Sequence, residues 1–171
     1  MCRMLYLGAD RPLPLMKDDA RFPGLWISPL DPEASAIVQV LETMPYRYSV
    51  ATTSGCACGF HYEERSELEQ TIADYPEPDK TMLRDGWNAA YRRVRALRHY
   101  LGAQLRHGPL LLYHLAQLDR QDDDQESIPD LTPRPMSTGS FAGSGFTLPD
   151  EDGVFIIVPS GPISGGTAGA P

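Results

Sequence analysis

No stretch of this chain approaches the roughly 20 consecutive apolar residues that a bilayer-spanning helix needs, so the sequence predicts no transmembrane helix. Its opening, Met1-Cys2-Arg3-Met4-Leu5-Tyr6-Leu7-Gly8, lacks a basic leader followed by a long apolar stretch, and the expectation is a cytoplasmic protein without a secretion signal. Positive charge is also in short supply. Lys and Arg number 15 against 23 Asp and Glu, a formal charge of -8, with a pI near 4.9. Proteins that coat nucleic acid neutralise many phosphates and release their counterions, so the composition argues against that class, and against anionic membrane for the same reason. Cysteine is scarce: there are 3, an odd number that does not build a disulfide framework. No H-E-x-x-H pattern, no G-x-S-x-G elbow and no glycine-containing EF-hand register around Asp122-Asp123-Asp124 is present. No internal repeat is visible.

What is there suffices for one domain. A chain of 171 residues should withdraw roughly 70% of its unfolded surface from water. Residues 1–158 read as a single globular domain. The tail 159–171 is rich in Gly, Pro and Ser, has Ile163 as its one large apolar residue, and reads as disordered because it cannot offset its ordering entropy.

Alternation of apolar residues predicts strands at Arg3 to Gly8, Gly24 to Ser28 and Tyr46 to Thr52. Asp31-Pro32-Glu33 combines a capping side chain, a preset φ and an acid at the dipole's positive end, predicting a helix from about 32 to 43. Ser66-Glu67-Leu68-Glu69 reads as a capping box opening a short helix to about Asp74. Pro76 and Pro78 read as breakers, with Asp79 capping the next helix. Leu83, Trp87, Ala90, Val94, Leu97, Leu101 and Leu105 recur at steps of four and three, marking one apolar face of a long amphipathic helix near residues 80–107. Gly108-Pro109 ends it. Leu110 to Leu115 and Gly153 to Val158 read as apolar strands, separated by an acidic exposed loop at 119–130 and an irregular Gly/Ser segment. The fold class is mixed α/β (α+β): a single-layer mixed sheet of about five strands with helices packed on it.

The candidate chemistry lies in the cysteines. Cys2 opens the first strand, and Cys56 and Cys58 sit in the glycine-bounded Gly55-Cys56-Ala57-Cys58-Gly59 turn that ends the third. If the two strand ends lie side by side, three thiols converge. With His61 or a water as fourth ligand they would suit a tetrahedral metal, zinc first, with copper(I) or an iron–sulfur species also compatible with thiolates. Dithiol exchange between Cys56 and Cys58 is a second use, across a small strained ring. A third makes Cys2 an N-terminal nucleophile after removal of Met1, its own amine acting as base. In the plainest reading all three are small buried hydrophobes.

The other candidate is the long helix. From Lys80 to His107, Lys80, Arg84, Arg92, Arg93, Arg95, Arg98 and Arg106 face one acid, Asp85, so this stretch carries +6 while the rest of the chain carries -14. Arg92, Arg95 and Arg98 are candidates to hold an acidic partner or a phosphate. The alternative is a solvated face answered by the acidic 119–130 loop. His99 and His107 read as surface side chains, and His114 as a core histidine.

Two resemblances follow. Met1-Cys2-Arg3 resembles the start of glutamine amidotransferase domains that use an N-terminal cysteine, which implies amidohydrolase chemistry at Cys2, although no Asn-His-Asn-Gly or His-x-Arg segment accompanies it. Met1 to Tyr6, Tyr48 to Phe60 with its two cysteines, and His107-Gly108-Pro109 before Leu110 to Leu115 are similar to a family of short bacterial proteins without an assigned activity. That resemblance implies that Cys2 and the Cys56–Cys58 turn belong together.

Overall fold

The computed structural model describes residues 2–17, 19–31, 41–52, 55–60, 64–117, 132–137 and 153–158, leaving aside the side chains of 2, 3, 115–117 and 137. The strands are β1 (Cys2–Ala9), β2 (Met16–Lys17), β3 (Trp26–Pro29), β4 (Tyr46–Ala51), β5 (Leu110–Gln117), β6 (Arg134–Ser137) and β7 (Gly153–Val158). The helices are α1 (Arg65–Thr71) and α2 (Glu77–Leu105), preceded by a 3-10 turn, Ala57–Phe60. The strands form one mixed sheet in the order β2-β3-β4-β1-β5-β7-β6. Every pairing is antiparallel except β6 with β7.

The sheet is mixed, as expected, but has seven strands where the sequence suggested about five. The two additional ones are the edge strands. β2 is two residues long inside a proline-rich loop, and β6 carries Pro135, which an edge tolerates because one side of its backbone needs no partner. The predicted helix from Pro32 lies mostly outside the described residues, and its last three positions, 41–43, form a turn. The acidic loop 119–130 and the tail 159–171 also lie outside them.

Pleat alternation divides the core between the two faces. Leu5, Leu7 and Ala9 of β1 join Ile27, Val50, Leu110, Leu112, Phe155 and Ile157 against Val94, Leu97, Tyr100, Leu101 and Leu105 of α2. Tyr6, Leu111, Tyr113 and Val154 occupy the opposite face with Leu41, flanked by Met4 and Met44. Burying one α2 stripe leaves the rest of that helix's circumference to solvent, and Arg92 and Arg95 are exposed there.

Two helix starts differ from expectation. The α1 box forms two residues early, where the Glu64 N–H donates to Glu67 Oε2 at 3.3 Å. In α2, Pro78 is not a breaker but the second helical residue, where a missing N–H costs nothing; Pro76 is the cap, and Asp79 falls in the first turn. The far end closes as predicted, on Gly108 at φ +141° with its N–H bonded to the Leu105 carbonyl at 3.3 Å.

Candidate functional site

The pairing Leu5↔Val50 through Ala9↔Tyr46 lays the end of β4 beside the start of β1, and Cys2 pairs with Gln117 on the other side. The chain then turns back on itself. The Thr52 N–H and hydroxyl both donate to the Cys56 carbonyl, at 2.9 and 3.0 Å, and Gly55 takes φ +82°. Cys56 and Cys58 are half-buried. Ala57 and Phe60 sink into the α2-side cluster with the odd-numbered residues of β1, whereas Cys2 has the register parity of Met4 and Tyr6. The Cys2 side chain and the whole of His61 lie outside the described residues. Among the described residues, no group of three His, Cys, Asp or Glu gathers to hold a metal ion.

The basic helix is resolved into two halves. Near its start, charges are matched: Arg84 pairs with Glu69 at 2.7 Å and Lys80 with Glu77 at 3.5 Å, while Arg65 of α1 pairs with Glu69 at 3.2 Å. The Arg84 hydrogen bonds hold the Glu69 carboxyl below its ordinary range, and the same contact raises Arg84. Beyond Asp85 no acidic residue occurs before Asp119. In that half, Arg92, Arg95, Arg98, His99 and Arg106 line a groove of about 540 Å³ floored by Ala96, Gly102 and Ala103. Arg21 and Pro23, from the loop between β2 and β3, form its other bank.

Sequence reasoning named Arg92, Arg95 and Arg98, and the structure brings them together. It missed Arg21, because nothing local announces that the β2–β3 loop folds over α2. Phe22 anchors that loop, its ring 5.6 Å from His99 and 6.0 Å from Tyr100. Arg21 itself is engaged: Asp19 accepts its guanidinium at 2.8 Å, and the hydrogen bond lowers the Asp19 carboxyl to about 2. Among the described residues, Arg92, Arg95 and Arg106 make no ion pair.

Arg95, on the groove wall, also caps a stack of rings outside it. Trp87 and Tyr91 lie parallel with ring centroids 5.1 Å apart, Arg65 covers Trp87 at 5.0 Å, and the Arg95 guanidinium stands 5.9 Å from the Tyr91 ring centre. His114 is fully buried in β5, as expected of a core histidine. No helix among the described residues is long and apolar enough to cross a membrane. Comparison with protein-family models, curated proteins and solved structures finds no match for this chain.

Proposed function

We propose that this protein binds a multiply charged phosphoryl ligand in the α2 groove. The observation that carries the reading is the contrast within one helix. The cations of its first half have acidic partners within 4 Å, whereas Arg92, Arg95 and Arg106 point into a concavity with none among the described residues. Guanidinium forks match phosphate oxygens two at a time, and the volume lies within the range of small-ligand sites. The lining offers no carboxylate, thiol or hydroxyl, so the chemistry it supports is binding. Inorganic tripolyphosphate is the simplest probe. It should bind in low salt, weaken steeply as salt is added, and lose more than about tenfold in Arg92→Glu/Arg95→Glu, since hydrogen bonds to charged groups contribute roughly 1.5–3 kcal/mol. Equal binding by the double variant defeats the proposal. A polyglutamate peptide that outcompetes tripolyphosphate would instead favour an acidic polypeptide partner.

A second reading keeps the cysteines. Its support is the adjacency of the β1 start and the β4 end, together with the tight turn at Gly55. A zinc ion would take Cys2, Cys56 and Cys58, with His61 or water as the fourth ligand. Elemental analysis should find about one metal per chain after chelator-free purification and none in Cys56→Ser. An intact mass lacking Met1, with a hydrolytic activity lost on alkylating Cys2, would favour the N-terminal nucleophile.

A further inference from the structure

The groove is a line rather than a bowl. Arg92, Arg95, His99, Gly102 and Arg106 follow at steps of three and four, so they form one stripe along α2. From the first to the last the helix rises roughly 21 Å at its 1.5 Å per residue. Arg92 and Arg95 stand at one end of that length, and Arg106 stands alone at the other. Between His99 and Arg106 the floor is Gly102 and Ala103, and a Cβ on Gly102 would meet nothing within 4 Å. Averaged over the length, about 540 Å³ gives the width of one extended chain, not of a helix, which needs roughly 10–12 Å.

We propose that the groove seats a linear polyphosphate chain lying along α2 from Arg92 to Arg106. This rests on the phosphoryl reading of the groove and names its ligand. Tripolyphosphate reaches one end of the stripe at a time and exchanges between the two. A chain as long as the stripe meets both ends at once, and its second contact forms at the high effective concentration that a tether provides. The lining also selects by hydrogen-bond type. Among the described residues, its polar side-chain atoms belong to arginines and to His99, so it presents many N–H donors and at most one acceptor, a nitrogen of the neutral imidazole. Polyphosphate carries acceptors along its whole length and no N–H. An extended acidic peptide brings a backbone N–H at nearly every residue, and the groove has almost no side-chain acceptor to receive it. A nucleic-acid strand brings bases, and no Phe, Tyr or Trp among the described residues lines the groove to stack them. The acid-free run from Gly86 to Leu118 confines the attraction to this stripe, and phosphates beyond its ends enter the field of a chain at -8.

Calorimetric titration of the full chain in low salt with tripolyphosphate, a ten-phosphate chain, decaglutamate and a ten-residue oligo(dA) tests this. Ten phosphates offer roughly eight overlapping registers to a three-phosphate seat. Beyond that statistical factor the longer chain should bind at least about tenfold tighter than tripolyphosphate, the least that one more charge-assisted contact contributes. Arg106→Gln should abolish that excess while changing tripolyphosphate less than about twofold, because Arg92 and Arg95 still hold it. Gly102→Leu should do the same by obstructing the floor without removing a charge. Both positions are exposed, so neither substitution disturbs the core. No excess in the wild-type chain overturns the end-to-end seat and leaves the groove reading standing. An excess that survives either variant also overturns that seat. Failure of both phosphate chains to bind overturns the groove reading as well. Decaglutamate or oligo(dA) tighter than the ten-phosphate chain overturns the assignment in favour of an acidic polypeptide or a single strand.

Discussion

Gly24 and Gly59 make room for one arginine. A Cβ at Gly24, whose φ is +71°, would stand 3.0 Å from Arg93 Cγ; one at Gly59 would stand 3.1 Å from Arg93 Nη1 and 2.7 Å from Thr52 Cγ2. Arg93 is therefore wedged between the β3 entry and the cysteine turn, and it does not line the groove. Gly59→Ala should destabilise the fold by about 1–3 kcal/mol, the usual cost of overpacking, because Thr52 is buried and bonded to Cys56. Gly86 has nothing within 4 Å, so Gly86→Ala in mid-helix should stabilise by about 0.5–1 kcal/mol. Urea midpoints at unchanged slope read both, and equal shifts of one sign would contradict the packing described. The sequence counted Arg93 among the helix's solvated cations. Its i+4 and i+7 neighbours, Leu97 and Tyr100, are core residues, and that spacing was the available sign that Arg93 turns inward.

The short helix α1 makes two kinds of contribution of unequal weight, buried apolar side chains and an ion pair to Arg84 of α2. Leu68 and the adjoining Ile72 are buried, so Leu68→Ala should cost about 2–5 kcal/mol. Glu69→Gln, which removes an exposed ion pair, should move the unfolding midpoint far less. Since the Arg84 hydrogen bond depresses the Glu69 carboxyl, its contribution is present above the ordinary Glu range and is lost as pH falls through that range toward the depressed value. Glu69→Gln should therefore flatten the acid limb of a stability-against-pH curve; an unchanged limb would show that the pair contributes nothing. At this scale long periodic elements were legible and short ones were not. The α2 face repeats often enough to declare its period. Two-residue β2 and proline-bearing β6 have no period to read, and they exist because neighbouring strands supply the hydrogen bonds. The cap positions slipped because Glu64 and Pro76 took the roles given to Ser66 and Asp79.

Across the whole molecule, charge is sorted rather than balanced. A chain of formal charge -8 runs from Gly86 to Leu118 without one acid, and the fold turns part of that run into a groove by laying the Arg21 loop against it. Composition made the basic helix visible. Concavity was not visible, because it depends on Phe22 meeting His99 and Tyr100 across the chain. The cysteine spacing was as visible as the basic helix, but two of the four ligands it names, the Cys2 side chain and His61, lie outside the described residues. The ligand should also stabilise the native state by mass action, so tripolyphosphate at one hundred times its wild-type dissociation constant should add about 2.7 kcal/mol to unfolding, and at the same concentration less than about 1.4 kcal/mol to Arg92→Glu/Arg95→Glu, whose affinity is more than tenfold weaker.

The most direct measurement is an amide and arginine side-chain NMR titration of the intact chain with inorganic tripolyphosphate. Saturable shifts confined to residues 92–106 and the 19–24 loop, with the Nε resonances of Arg92, Arg95 and Arg106 moving most, are the predicted result. Shifts centred on any other surface, or none at millimolar ligand in low salt, would contradict the account.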